Sequence, residues 1–435
     1  MLSQLFASSA NALSKRRSWV LIIVTLLLVV PVLAACGGSN DSGSSSIQWQ
    51  AGMPPQATQP VGHAPTQPPA QTDATQPPAE TPTQPPAEAP TTAPTQAATE
   101  AAVAGRPLTE AELAQYQPNE LGKILVLEYH QLTNDSSKVA QFTRTYDSFR
   151  DDLQWLYDNA YYVVKMKDVI ENTISAPAGK KPVVLTFDDS PVNQFRFLVN
   201  ADGSLAVDPA SAVGIMEDFY AAHPDFGRGG LFATLPKACF YTGVDGSESD
   251  QIDLCSQKLN FLLDNGYEVG NHTLTHSGIQ DVDDETFKKE VGGAIDALQE
   301  LDPRVEANIF VVPFGMYPDL DKHPDQRDWM RNGFTWNGKD YFLIGSLMVG
   351  AEPAYSPVST EWDSMWIARI QMCDCTEQGG GGWDDTWKAI VADSPTLMYI
   401  SDGDPNTITI PNDLNSALDG TFDEAKADGK QIVRY

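Results

Sequence analysis

The chain has 435 residues, a formal charge of −30 and 42% hydrophobic residues. That length predicts two or three domains and is ample for a sizeable core. The acidic excess argues against nucleic acid and anionic membrane surfaces as partners and favours neutral or cationic substrates.

Lys15, Arg16 and Arg17 precede an apolar run over residues 19–35, which ends in Leu33-Ala34-Ala35-Cys36. A basic start, an apolar middle and small residues before the cut describe a secretory signal. Cysteine directly after Leu-Ala-Ala resembles the bacterial lipobox. That resemblance implies cleavage before Cys36, a lipid on its thiol, and residues 1–36 as a lipoprotein signal peptide. An uncleaved membrane anchor is the alternative, against which Pro31 and the small residues weigh. Either reading predicts an exported chain, facing the cell surface or periplasm and held to the bilayer by its N-terminus. Residues 37–107 repeat Thr-Gln-Pro-Pro-Ala at 66–70, 75–79 and 83–87. So few large apolar groups cannot offset chain entropy, and a disordered tether is expected. Fully extended it would reach on the order of 200 Å. Residues 108–435 remain as one folded domain, expected to be a monomer.

With Cys36 assigned to lipid, Cys239, Cys255, Cys373 and Cys375 remain. An exported chain permits disulfides, and three pairings are possible. Cys239–Cys255 is preferred, because Cys373 and Cys375 bridge each other only with strain.

Within 108–435, strand and helix signals alternate. Residues 124–130 read as a first strand and 146–159 as a helix with one apolar face. Val183-Val184-Leu185-Thr186-Phe187 is the second strand, ending in Asp188-Asp189. Residues 191–230 exceed a usual loop and should hold a short helix near 212–221. Strands are expected at 231–235, 238–241, 267–271, 307–312, 342–348 and 397–400. Helices are expected at 250–265, 284–301 and 362–370. This alternation predicts an α/β fold of parallel strands wrapped by helices, either a barrel or a doubly wound sheet.

Two of the six histidines lie in Asn271-His272-Thr273-Leu274-Thr275-His276. Just after a strand and four residues apart, they share a face if the segment turns helical. With a carboxylate from Asp188-Asp189, they supply the His, His, carboxylate set of a catalytic zinc-type site. A fourth position stays open for a water whose pKa the ion lowers.

Thr186-Phe187-Asp188-Asp189 followed by Gly270-Asn271-His272-Thr273-Leu274-Thr275-His276 resembles the polysaccharide deacetylase family, carbohydrate esterase family four. The resemblance implies a distorted (β/α) barrel of about seven parallel strands. It implies hydrolysis of acetyl groups on a polysaccharide, with a divalent metal ion, zinc by preference, held by Asp189, His272 and His276. Asp188 is then the general base. The family's Arg-x-Pro-Tyr-Gly motif stands here as Val311-Val312-Pro313-Phe314-Gly315, so its base-orienting arginine is missing. Pro313 and Phe314 keep the turn, and the Phe314 amide would serve the oxyanion. The family's C-terminal Leu-x-x-His is replaced by Leu397-Met398-Tyr399-Ile400, yet Leu127-Glu128-Tyr129-His130 carries the motif at the front of the domain. First and last strands are neighbours in a closed barrel, so His130 is the implied general acid. Both departures resemble the circularly permuted, exported poly-N-acetylglucosamine deacetylases.

Of the tryptophans, Trp336 and Trp383 in Gly-containing loops are the expected sugar contacts, whereas Trp362 and Trp366 fall at helical spacing and should be core. An O-acetyl esterase on xylan or another glycan is the near alternative. A non-catalytic glycan-binding lipoprotein on the same fold is the other.

Overall fold

The computed structural model describes residues 106–241, 250–350, 352–374 and 383–435. The signal, Cys36, the tether with His63, the Gly379–Gly382 run and Cys375 lie outside the described residues. Among the described residues, no helix is long and apolar enough to cross a membrane.

Eight parallel strands make the central sheet: β1 (Leu125–Tyr129), β2 (Tyr161–Val163), β3 (Lys181–Phe187), β4 (Leu231–Thr234), β5 (Glu268–Asn271), β6 (Ile309–Val311), β7 (Gly345–Leu347) and β8 (Ile370–Gln371). Seven run in the order β7-β6-β5-β4-β3-β1-β8, and β2 lies beside the start of β3. The sheet curls, and residues 367–371 bring its two edges together. Ile367 bridges Leu347 of β7 on one side, while Ile370 and Gln371 pair with Leu127 and Glu128 of β1 on the other. The result is the distorted barrel that the resemblance implies.

Strand alternation sorts the side chains into two layers. Leu125, Leu127 and Tyr129 of β1 pack outward, in one cluster with Phe149, Leu153 and Leu156 of the helix α1 (Tyr146–Asp158). Thr145 caps that helix by accepting from the Ser148 amide at 3.1 Å. Each fully buried Phe or Leu contributes about 1.5–3 kcal/mol to holding helix on sheet. Val126, Val184, Leu231, Ala233, Ile309, Val311 and Leu347 face the other way and form the apolar lumen. Above them, toward the C-terminal strand ends, the same inward face turns polar at Glu128 and Thr186.

Three further helices brace the sheet: α2 (Ala212–Ala222), α3 (Cys255–Asp264) and α4 (Asp284–Leu301). α2 sits in the 191–230 segment behind a small hairpin, Phe197–Val199 against Leu205–Val207. α4 opens on Asp283, which accepts from the Thr286 amide at 2.8 Å, and carries Asp284 and Glu285 where the helix dipole favours acids.

Several sequence expectations are corrected. Residues 238–240 are bend and turn and Tyr241 makes only an isolated bridge to Pro191, because Pro236 and the left-handed Phe240 (φ 50°) interrupt any ladder. Residues 250–265 break into Asp250–Asp253 and Cys255–Asp264. Residues 397–400 form only isolated bridges to Asn119 and Lys123, so they are not the last barrel strand. That place belongs to Ile370–Gln371, in the stretch whose apolar spacing imitated a helix. The disulfide Cys239–Cys255 spans Cα atoms 5.8 Å apart. Cys373 is also disulfide-bonded.

Candidate active site

The chemistry-bearing side chains gather at the C-terminal ends of β1, β3 and β5, the usual working face of a parallel barrel. Asp188 continues the inward face set by Val184 and Thr186, and its amide still donates to the Tyr129 carbonyl at 2.8 Å. The next two residues would ordinarily point away and back. Instead Asp189 (φ 70°) and Ser190 (φ 45°) adopt left-handed backbone, which costs on the order of 1–2 kcal/mol each. That turn delivers Asp189 to the same cavity as Asp188. The Ser190 hydroxyl accepts from the Leu235 amide at 3.1 Å and helps hold the turn. Buried Gln194 ties the neighbouring strand ends, donating to the Asp188 carbonyl at 2.6 Å and the His130 carbonyl at 2.8 Å.

His272 and His276 both aim Nε2 at the same oxygen, Asp189 Oδ1, at 3.2 and 3.1 Å. Their loop is not helical, contrary to the simplest reading of the spacing. Thr273 (φ 65°) and His276 (φ 59°) are left-handed, so the rings meet through a turn, with centroids 5.0 Å apart. Side chains fix that turn: Asn271 Oδ1 accepts from the Thr273 amide at 2.9 Å, and Glu290 of α4 accepts from both the amide and the hydroxyl of Thr275.

The donor set fits a divalent cation. His272 Nδ1 lies 2.8 Å from the Val311 carbonyl, which can only accept, so the proton sits there and Nε2 presents a lone pair. A lone pair facing a carboxylate oxygen at 3.2 Å is repulsive unless positive charge lies between them. Ligands about 2.0–2.2 Å from a tetrahedral zinc stand roughly 3.3–3.5 Å from one another, close to the separations found. Burial would raise the Asp189 carboxyl, but the two imidazoles facing it outweigh this and hold it far below the usual carboxylate range.

Asp188 is 1% exposed and meets the kind of cation that the Val311–Gly315 turn lacks. Arg369, fully buried, donates from its two terminal nitrogens to Oδ1 and Oδ2, each at 2.8 Å. Its Nε donates to the Met348 carbonyl at 2.7 Å, which locks the guanidinium plane. Burial would raise the Asp188 carboxyl, yet the charge and hydrogen bonds of Arg369 reverse this and hold it below the ordinary value. The arginine absent from the Val311–Gly315 turn is thus replaced from the segment leading into β8. His130 Nε2 lies 3.6 Å from Asp188 Oδ2, and its ring packs on Phe142 with centroids 4.6 Å apart.

Pro313 is buried, while Phe314 is 57% exposed, left-handed (φ 58°), with its ring centroid 4.7 Å from that of His276. A cavity of about 430 Å³ opens beside the site, lined by Asp189, Leu235, Lys237, Tyr241, Leu274 and His276. The Cys239–Cys255 link ties the 235–241 wall of that cavity to α3. The tryptophan assignments are reversed in part. Trp383 is 1% exposed and packs edge-on against Trp155, so it is core rather than a sugar contact. Trp336 is half-buried and donates to Glu285 at 2.8 Å. Trp366, expected inside, is exposed and stacks on Tyr317 with centroids 4.1 Å apart.

Residues 234–322 match the family model for polysaccharide deacetylase. That stretch holds both histidines and the Pro-Phe-Gly turn, while Asp188 and Asp189 lie before it. No curated protein matches the chain. Among solved structures, BA0330 from Bacillus anthracis is 14% identical over 58% of this chain and 66% of that one, with TM-score 0.41. The Streptococcus pyogenes deacetylase PplD, solved with acetate, is 17% identical over 58% of this chain and 92% of that one, with TM-score 0.39. IcaB from Ammonifex degensii is 12% identical over 57% and 91%, with TM-score 0.37.

Proposed function

We propose, from the polysaccharide deacetylase match over residues 234–322, that the chain is a metal-dependent hydrolase removing acetyl groups from an extracellular glycan. N-deacetylation of a poly-N-acetylglucosamine-type polymer is the reaction proposed, at a cell-surface or periplasm-facing site reached through a lipid anchor on Cys36. The observation that carries it is the convergence of His272, His276 and Asp189 on one point beside an Asp188 clamped by Arg369.

A divalent ion, zinc by preference, would be held by Asp189, His272 and His276, and would polarise the acetyl carbonyl and acidify the attacking water. Asp188 then accepts the proton of that water. Its carboxylate is ionised at neutral pH because Arg369 holds it so, and its orientation is set by two hydrogen bonds. The Phe314 amide serves as a donor to the developing oxyanion. His130, on the far side of Asp188 from the metal ligands, gives a proton to the departing nitrogen as the C–N bond breaks.

The test is metal analysis of the purified protein together with acetate release from N-acetylglucosamine oligomers and from acetylxylan. Stoichiometric metal with acetate from the oligomers is expected. Acetate from acetylxylan alone makes the chain an O-acetyl esterase. No acetate from either leaves a binding protein.

A further inference from the structure

The stretches that flank the barrel in sequence, one ahead of β1 and one after β8, close round a second cavity of about 930 Å³. It lies at the N-terminal end of β1, whereas the catalytic groups stand at the other end. Lys123 on its wall and His130 are joined by β1, which sets the two sites about 20 Å apart at strand spacing. Protein interiors are close-packed, and a concavity of this size falls within the range of roughly 300–1,000 Å³ typical of ligand sites.

The helix Glu110–Tyr116 forms one wall. Thr109 and Glu112 cap it, yet it buries none of its residues. A helix this short relies on packing more than on propensity, and here Leu113 and Ala114 border the cavity. Leu397 and Leu414 add apolar surface, while Gln117, Asn412 and Asn415 set amides beside it. Tyr355 and Tyr435, both half-buried, bring flat apolar faces with polar tips. Asn119, also on the wall and 2% exposed, donates from Nδ2 to the Thr396 carbonyl at 2.9 Å, while its Oδ1 has no partner among the described residues. A buried acceptor of that kind costs free energy until a donor reaches it.

Charge selects among ligands. Among the described residues, Lys123 and Asp413 are the only charged side chains on the wall. Lys123 pairs with Glu352 at 2.8 Å and lies over the Tyr355 ring at 4.1 Å, so its charge is already engaged. In a chain of formal charge −30, a wall this close to neutral suits an uncharged ligand. A pyranose ring has apolar C–H faces and a rim of hydroxyls, and an acetamido group adds one donor and one acceptor that side-chain amides can match. We propose that this cavity is a second glycan-binding site, which takes an uncharged acetamido-sugar chain and holds the polymer while the catalytic site acts on it. That holding role rests on the deacetylase reading above. Two contacts on one polymer make the second binding event intramolecular, so long chains gain over short ones.

The test fills the cavity with Ala114→Trp, an exposed position on a helix that buries nothing, with the fold checked by circular dichroism. The first readout is hydrogen exchange in the Asp188→Asn protein, which leaves the sugar intact. Trimers of N-acetylglucosamine should slow exchange over residues 110–117 and 411–418, and adding Ala114→Trp should abolish that protection. The second readout is acetate release by the otherwise wild-type enzyme. Ala114→Trp should raise KM for poly-N-acetylglucosamine at least about tenfold, with kcat and the trimer KM unchanged. No protection over those residues, protection by glucosamine trimers or by decanoate in its place, or an unmoved polymer KM overturns the proposal. Absence of acetate release from the wild type would instead sink the deacetylase reading, and the exchange data would still decide whether the cavity holds sugar.

Discussion

Arg369 grips Asp188 with two parallel hydrogen bonds of 2.8 Å across 181 residues of sequence. Such two-pronged pairing fixes both the charge and the direction of a carboxylate, which a single-pronged lysine cannot reproduce. Arg369→Gln is expected to lower kcat by about 10²-fold with bound metal retained. The sign of the pH effect follows from the cause. Arg369 depresses the Asp188 carboxyl, so removing it leaves burial, which raises it. The base works only when ionised, so the acid limb of the pH–rate profile should move to higher pH. An unmoved limb, measured on a variant shown to be folded by circular dichroism, would contradict the assignment.

Asp188→Asn should separate base from ligand. Metal content should stay stoichiometric while kcat falls by about 10²–10⁴-fold. Asp189→Ala and His272→Ala should instead lose the metal, as read by elemental analysis. A chelator should silence the wild type, and added zinc should restore it.

Glu290 lends itself to a finer experiment, since it touches no proposed ligand and only pins Thr275 between the two histidines. Supports of this kind are worth about 10–100-fold in metal affinity. Glu290→Ala is expected to weaken zinc binding by that factor in competition with a chelating dye. At saturating zinc its kcat should approach wild type, and a low kcat there would assign Glu290 a different role.

Arg144 and Asp152 form a buried pair, 2% and 0% exposed, that Tyr129 joins through a hydroxyl donated at 3.1 Å. Arg144 also pairs with Asp374 and Asp384, so it is Arg144→Ala that strands the fully buried Asp152 without a cation, and this change should cost about 3–5 kcal/mol in urea unfolding. Removing Arg144 and Asp152 together should cost less than Arg144→Ala, because the acids that remain reach solvent. A single-variant loss under about 1 kcal/mol would show the pair to be effectively solvated.

Reduction of Cys239–Cys255, separated by 16 residues, is expected to lower stability by about 3 kcal/mol. Because the link ties down the wall carrying Leu235, Lys237 and Tyr241, it should also raise KM more than it lowers kcat.

The parts of this site legible in the sequence are those made by neighbours in the chain. Asp188-Asp189 at the end of an apolar run and two histidines four residues apart announce themselves because one strand end delivers each pair. The manner of delivery was less legible. Left-handed backbone at Asp189, Thr273 and His276 is unusual for these residue types, and the spacing of the histidines suggested a helix. Arg369 was missed for another reason. Residues 362–370 have apolar side chains at helical intervals, and nothing local says that Ile367 must pair with β7 while Ile370 pairs with β1. The one available hint was a lone arginine among Ile367, Ala368 and Ile370, a charge that an interior strand tolerates only against a buried acid. Trp366 was misplaced on the same reading, since spacing within a segment does not say which face the barrel covers, and Trp383 because neighbouring glycines do not say that a side chain is exposed.

The five residues from 367 to 371 do two jobs at once. They seal the seam between first and last staves, and their middle member, Arg369, grips Asp188, the proposed general base. Hydrolytic competence is therefore tied to complete tertiary assembly. A polypeptide still unshut holds Asp189, His272 and His276 on one half and the guanidinium that grips Asp188 on a loose end. Such a chain would be chemically silent until the seam zips, with no separate inhibitor required.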